Sequence, residues 1–262
     1  MSLSFHVVSH ERGFSPTPLP IWTDNGDVSD LFEAGATPEV VRQEVEGVPG
    51  AFQLLNVLTP AEADNFVAVL EDMGFEEDAP VSLPRSVRHN HNVNWIVSEA
   101  VDQVIWQRSA PLVTEQIQGE GAKGINARFR VYRYEAGDFF KPHTDGAWPG
   151  SRVINGEVVQ DAYPGLMSQY TFLIFLSDGY TGGRTEFLVS RRDPDKPAQS
   201  RDDIQTVSVS TPKGGVLCFP HGSHPQHCVH ASEPIRDGAK YIIRSDILYL
   251  RLSDERHLIN TA

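Results

Sequence analysis

Ten histidines lie along the 262-residue chain, and two groupings have spacings that suit a metal ion. One is His143-Thr144-Asp145, at the end of the run Lys141-Pro142-His143. The other is His221, His224, His227 and His230, which closes just before a strand-like segment. In extended backbone, residues i and i+2 project to the same side, so His143 and Asp145 can reach one ion. One further histidine from the second group gives two nitrogens and one carboxylate oxygen on a single face of an octahedron. Three positions then stay open for a bidentate cosubstrate and dioxygen, the arrangement of non-haem Fe(II) oxygenases.

His-x-Asp alone is a common pattern, so a second requirement decides more. An oxygenase that consumes 2-oxoglutarate must hold that molecule's far carboxylate, and a Lys or Arg inside the fold does this best. Lys240 opens the last apolar segment, ten residues after His230. On strand alternation Lys240, Ile242 and Arg244 share a face. A cation on an inward face is costly unless paired, and a bound dicarboxylate supplies the partner. Arg244 has two readings: contact with the cosubstrate or an acidic substrate, or an ion pair with Asp246.

At these residues the chain resembles the prolyl 4-hydroxylase-like branch of the 2-oxoglutarate- and Fe(II)-dependent oxygenases. Four blocks are similar and in order. They are Tyr134-Glu-Ala-Gly-Asp-Phe-Phe-Lys-Pro-His143-Thr-Asp145; Thr171-Phe-Leu-Ile-Phe-Leu-Ser followed by Gly182-Gly183-Arg-Thr185-Glu-Phe187; Pro212-Lys-Gly214-Gly-Val-Leu-Cys-Phe219; and His230-Ala-Ser-Glu-Pro234-Ile-Arg-Asp-Gly238-Ala-Lys240. The resemblance spans roughly residues 51–250 and selects His230 among the clustered histidines, because only His230 has Pro, Gly and Lys at the family offsets. It implies that His143, Asp145 and His230 bind Fe(II), that Lys240 pairs with the distal carboxylate of 2-oxoglutarate, and that Tyr134 and Thr171 line the cosubstrate pocket. It also implies O2 as cosubstrate, with ascorbate a candidate accessory. The implied reaction is a hydroxylation that releases succinate and CO2. Two segments depart from the pattern: the long 146–167 stretch and the charged 190–203 loop. They weaken any transfer of a peptidyl-proline substrate, so a free amino acid or metabolite stays open. Trp148 and Tyr163 lie in the first of them, as candidates for a substrate wall or for simple packing.

The elements that must position these residues are legible in part. Thr59-Pro60-Ala-Glu62 is a capping box that opens a helix to about Met73, ended by Gly74. A second helix starts near Ser98 and is disturbed at Pro111. From Ala127 onward the pattern is strands: Ala127–Tyr134, a hairpin over 152–159 with an Asn155-Gly156 turn, the apolar run Gln169–Leu176, Arg184–Val189, Ile204–Ser210, Gly215–Phe219, Cys228–His230 and Lys240–Tyr249. The expected fold is α+β, a double-stranded β-helix (jelly roll) with N-terminal helices packed on one sheet. The expected organisation is one domain over 1–262: an N-terminal arm (1–50), a helical support (51–123) and a jelly-roll core (124–262).

Composition removes other classes. With 22 Lys plus Arg against 35 Asp plus Glu, the formal net charge is −13, which argues against a nucleic-acid binder and against docking on anionic lipid. Two cysteines, Cys218 and Cys228, are too few for a disulfide framework. No stretch reads as a signal peptide or membrane span, so a cytoplasmic location is expected. Two rival readings stand beside the hydroxylase: a non-catalytic jelly-roll binding module, and a cupin-like metalloenzyme that uses several of the clustered histidines.

Overall fold

A computed structural model describes residues 3–13, 17–77, 86–196, 198 and 200–251. The chain is mainly β, with two α-helices and two principal sheets. Across the large sheet the strands run Phe5–Glu11, Leu19–Asp24, His91–Ile96, Arg128–Tyr134, Lys240–Leu250, Leu166–Phe175, Val216–Pro220, Phe52–Leu55 and Val41–Glu44. Pairing along this path is antiparallel apart from the parallel contact of Leu19–Asp24 with His91–Ile96. The small sheet runs Ile204–Val209, Thr185–Ser190, His230–Ser232, Phe139–His143 and Arg88–His89. The architecture is jelly-roll-like.

The central strands of the large sheet are buried on both faces, and their alternation sorts residues into two cores. Phe129, Val131, Phe172, Ile174, Val216, Cys218 and Ile243 belong to one. Their neighbours Tyr132, Tyr134, Leu173, Phe175, Leu217, Phe219 and Ile242 belong to the other. The second core also contains Phe187, Val189 and Val209 of the small sheet, so it lies between the sheets. The first core takes in Phe66 and Leu70 of helix α1 (Pro60–Met73) and Val101 and Ile105 of helix α2 (Glu99–Ser109). The Phe66 ring lies 6.2 Å from that of Trp95, on the His91–Ile96 strand.

Several strands differ from the sequence reading. The segment read as an arm supplies three strands of the large sheet, two along one edge and Val41–Glu44 at the other. Phe52–Leu55 and His91–Ile96 fall where only helical support was expected. These segments are short or carry polar residues such as Asn92 and Asn94, and neighbouring strands rather than their own patterning hold them extended. Pro111 falls in a 3-10 turn, Ala110–Leu112, that follows α2. The 152–159 hairpin turns at Asn155 (φ 52°) and Gly156 (φ 78°), the two left-handed positions that such a turn needs.

Glu62 ties the helical region together. Its side chain is buried and accepts from Arg108 Nη1 at 2.7 Å and Nη2 at 2.9 Å, from Thr59 N–H at 2.9 Å and from Glu33 N–H at 3.1 Å. Thr59 Oγ1 accepts in return from Glu62 N–H at 3.1 Å, which closes the capping box. Burial works against the charge, but Arg108 and the two backbone donors more than offset it and hold the carboxyl below its usual 4.5. A depressed carboxyl adds stability that is present above about pH 4.5 and is lost as pH falls through its lower folded value. Glu62→Gln should therefore cost about 3 kcal/mol at neutral pH, because it leaves Arg108 half-paired in the interior. Urea unfolding should show that loss at pH 7 and a progressively smaller one as pH falls below about 4.5.

Candidate metal and cosubstrate site

His143 ends the Phe139–His143 strand, and its registered partner on the adjacent strand is His230. Cross-strand pairing thus sets the two imidazoles side by side, with ring centroids 4.2 Å apart. Asp145 lies two residues beyond the strand end, in irregular backbone rather than the extended run expected from sequence. One ligand atom from each of His143, Asp145 and His230 lies within 4.8 Å of the others. His143 Nε2 is 3.8 Å from Asp145 Oδ1, and His230 Nε2 is 3.7 Å from Asp145 Oδ2.

The tautomers follow from the opposite ring nitrogens. His143 Nδ1 is 2.9 Å from the Lys141 carbonyl and His230 Nδ1 is 3.4 Å from the Cys228 carbonyl. A carbonyl only accepts, so each Nδ1 carries the proton and each Nε2 turns its lone pair toward Asp145. These two carbonyls are the orienting partners that metal-binding imidazoles need. Burial, then the neighbouring His230, pushes His143 down to about 3. Burial also lowers His230. Both rings are therefore neutral and can ligate at physiological pH. The donor set fits a divalent ion that accepts nitrogen and oxygen together, as Fe(II) does.

Asp145 is kept ionised from behind. Burial works against its charge, but Arg244 and then His230 and His143 hold the carboxyl well below the usual carboxylate range. Arg244 Nε is 3.3 Å from Asp145 Oδ2, and Arg244 Nη2 donates to Asp246 Oδ1 at 3.0 Å. The ion pair with Asp246, one of the two sequence readings of Arg244, is thus present together with a second one to Asp145. Thr171 Oγ1 donates to Asp145 Oδ2 at 2.7 Å and lies 2.7 Å from His221 Nδ1. His221 Nε2 is 2.9 Å from Ser168 Oγ, which in turn accepts from Trp148 N–H at 2.9 Å. One consistent assignment runs through all four contacts, with His221 neutral, donating from Nδ1 and accepting at Nε2. Burial lowers His221, in keeping with that neutral form.

His221 was read from sequence as a loop residue, and it does lie outside the strands, yet its side chain is wholly buried behind Asp145. No spacing rule marks it. Only the proximity of Thr171 and Ser168 gives it a role. His224 and His227 lie apart from the His143–Asp145–His230 group. Cys218 and Cys228 are buried free thiols.

The three ligand candidates border a cavity of about 270 Å³ between the sheets. Tyr134, Lys240, Ile242 and Arg244 line it from the large sheet, and Phe140 and Thr185 from the small one. Tyr134 and Lys240 are registered partners across neighbouring strands. Lys240 is fully enclosed: its Nζ donates to the Gly183 carbonyl at 2.5 Å and lies 5.3 Å and 5.8 Å from the Phe175 and Tyr134 ring centroids. Gly183 adopts φ +65°, and a side chain there would strike Ile235 and crowd Lys240. Burial brings Lys240 down to about 7, with Glu233 pulling weakly the other way. Trp148 lines the cavity, whereas Tyr163 accepts from Arg152 Nε at 2.7 Å away from it.

No family model matches this sequence, and no curated protein matches it. Solved structures do. A prolyl hydroxylase from Trichoplax adhaerens, in complex with a hypoxia inducible factor oxygen degradation domain peptide fragment, is 15% identical, with a TM-score of 0.53 over 81% of this chain and 87% of that one. The viral collagen prolyl hydroxylase of Paramecium bursaria Chlorella virus-1 is 16% identical, with a TM-score of 0.48 over 76% and 96%. A Pseudomonas putida prolyl-4-hydroxylase is 13% identical, with a TM-score of 0.48 over 77% and 93%. The chain shares the fold of the Trichoplax prolyl hydroxylase.

Metal affinity gives a direct check. Calorimetric titration with Mn(II) should show one site, and His143→Ala or His230→Ala should weaken it by about 100-fold or more. The double variant His224→Ala/His227→Ala should bind Mn(II) as the parent does. Loss of binding in that variant would instead support a cupin-like site built on the clustered histidines.

Proposed function

We propose that this protein is a 2-oxoglutarate- and Fe(II)-dependent dioxygenase that hydroxylates its substrate with release of succinate and CO2. The observation that carries the reading is the convergence of two neutral imidazoles and an ionised carboxylate at one end of a cavity that also encloses a buried lysine. The likeness in fold to the Trichoplax prolyl hydroxylase agrees with it. In this reading His143, Asp145 and His230 hold iron, which supplies the oxidising chemistry by coupling decarboxylation of 2-oxoglutarate to insertion of oxygen into a C–H bond.

The chain's own part is binding, orientation and charge. Asp145 Oδ2 accepts from Thr171 and faces Arg244, which holds the carboxylate ionised and in place to help bind a metal. Lys240 receives the distal carboxylate of 2-oxoglutarate: an enclosed ammonium with one carbonyl partner has donors to spare. Tyr134 flanks that carboxylate. Thr171 acts through Asp145 rather than through the cosubstrate. The two helices serve as a support for the large sheet, as their share in its outer core suggests. No helix among the described residues is long and apolar enough to cross a membrane, and a cytoplasmic setting suits the two free thiols. Ascorbate has a place here only as an accessory reductant in assays.

The test is spectroscopic. Anaerobic addition of Fe(II) and 2-oxoglutarate should produce a weak visible charge-transfer band that is absent in His143→Ala. A chain that binds neither iron nor 2-oxoglutarate ends the reading, and one that binds both without substrate-stimulated succinate release is a binding module.

Lys240 adds a pH signature. In the free protein the ammonium loses its proton near pH 7, whereas a bound carboxylate needs it charged. Affinity for 2-oxoglutarate should thus fall above about pH 7, by up to about tenfold per unit, with uptake of one proton on binding. Calorimetry in buffers of different ionisation enthalpy should measure that proton. Lys240→Met should abolish the uptake and weaken binding at pH 6.5.

A further inference from the structure

The inner face of the large sheet carries three registered pairs across the strands Arg128–Tyr134 and Lys240–Leu250: Tyr134 with Lys240, Tyr132 with Ile242, and Arg130 with Arg244. Five of these six residues line the cavity, and the sixth, Arg130, does not. The indole of Trp148 covers it, with the guanidinium carbon 5.4 Å from the ring centroid. Trp148 is itself a cavity-lining residue and is 41% exposed. Its backbone is pinned in both directions to Ser168, at 2.9 Å each way, so uncovering Arg130 needs only a rotation of the side chain.

Arg130 is nine-tenths buried, and its Nε and Nη1 have no hydrogen-bond partner. Its ion-pair partner, Asp246 Oδ2, is 4.0 Å from Nη1, beyond hydrogen-bond reach. Arg128, two residues earlier on the same face, is by contrast engaged by Glu11 at 3.1 Å and Gln160 at 3.2 Å. A buried guanidinium with idle donors is costly unless something arrives to use them.

Charge counting says what arrives. Arg130 and Arg244 face Asp145 and Asp246, and Lys240 lies further along the same strand face in the cavity wall. Arg88, over the rings of Tyr132 and Phe140, also lines the cavity and only adds to the positive side, whereas Glu233 is paired with Arg184 at 3.0 Å. Once a divalent ion occupies Asp145, the positive excess is at least three. A dicarboxylate cosubstrate offsets two, and at least one guanidinium charge is left without a counter-ion next to the metal.

We propose that the substrate carries a carboxylate, and that Arg130, uncovered when the Trp148 ring swings aside, pairs with it alongside Arg244. This rests on the dioxygenase reading, since the count includes the metal and the cosubstrate. A planar carboxylate matches the idle Nε and Nη donors of a guanidinium fork. The apolar lining beside it, from Trp148, Leu173 and Ile242, suits a carboxylate on an aliphatic body. The carboxylate has two sources, a free acid or chain terminus and an acidic side chain.

The test uses the full chain, loaded anaerobically with Fe(II) and 2-oxoglutarate and titrated calorimetrically. The probes are N-acetyl-L-leucine, N-acetyl-L-leucinamide and the α-amide of N-acetyl-L-aspartate. At least one of the two acids should bind about tenfold or more tightly than the neutral amide, and the tighter of the two acids identifies the source. Arg130→Met should erase the preference while the visible cosubstrate band persists, and Arg130→Lys should restore part of it. Equal binding of acids and amide by band-positive parent protein overturns the proposal, even where Arg130→Met does not fold. Unchanged acid preference in folded Arg130→Met overturns it too. A parent chain with no band overturns the dioxygenase reading instead.

Discussion

The structure turns on a carboxylate that is mostly removed from water. Asp145 stays charged because Arg244, Thr171 and two imidazoles surround it. Each of these needs its own partner: Arg244 has Asp246, Thr171 has His221, and the imidazoles have backbone carbonyls. An isolated buried charge would neutralise itself instead. The polar network behind Asp145 is thus a consequence of placing one acidic group between two sheets. It accounts for a buried histidine, His221, that has no direct part in the metal site.

The large sheet makes this placement possible because its two faces do different work. The outer face is mainly apolar and joins the helices in one core. The inner face is apolar toward Phe175, Leu217 and Phe219 and becomes charged toward Arg244 and Asp246. Alternation along the Lys240–Leu250 strand therefore delivers an ammonium, a guanidinium and a carboxylate to the same side at steps of two or four residues. The small sheet packs over this inner face, with Phe187 and Val189 against its apolar part and His143 and His230 beside Asp145. A chain whose formal net charge is −13 so encloses a cationic interior.

How much of this was legible beforehand differs by level. The capping box at Thr59 and Glu62, the Asn155-Gly156 turn and the apolar run through Ile174 are local signals, and the structure has elements there. The strands before residue 97 escaped, because their extended form comes from partners far away in the chain. His143, Asp145 and His230 could be singled out because spacing and block order are linear properties, and the fold brings them within 4.8 Å. The support His221 gives to Asp145 and the cover Trp148 gives to Arg130 carry no linear mark.

By itself the sequence determined which residue types are available and how they alternate: two imidazoles and an acid at metal-binding spacing, a lysine and an arginine on one strand face, and a capped helix. Only the tertiary structure decided the neighbours. The registers of Arg128–Tyr134 with Lys240–Leu250, and of Phe139–His143 with His230–Ser232, choose which cation stands beside which carboxylate. They also choose which guanidinium is left with idle donors under Trp148. Charge pairing acts over a few ångströms in space, and sequence separations of up to about a hundred residues say nothing about such distances until the sheets have closed.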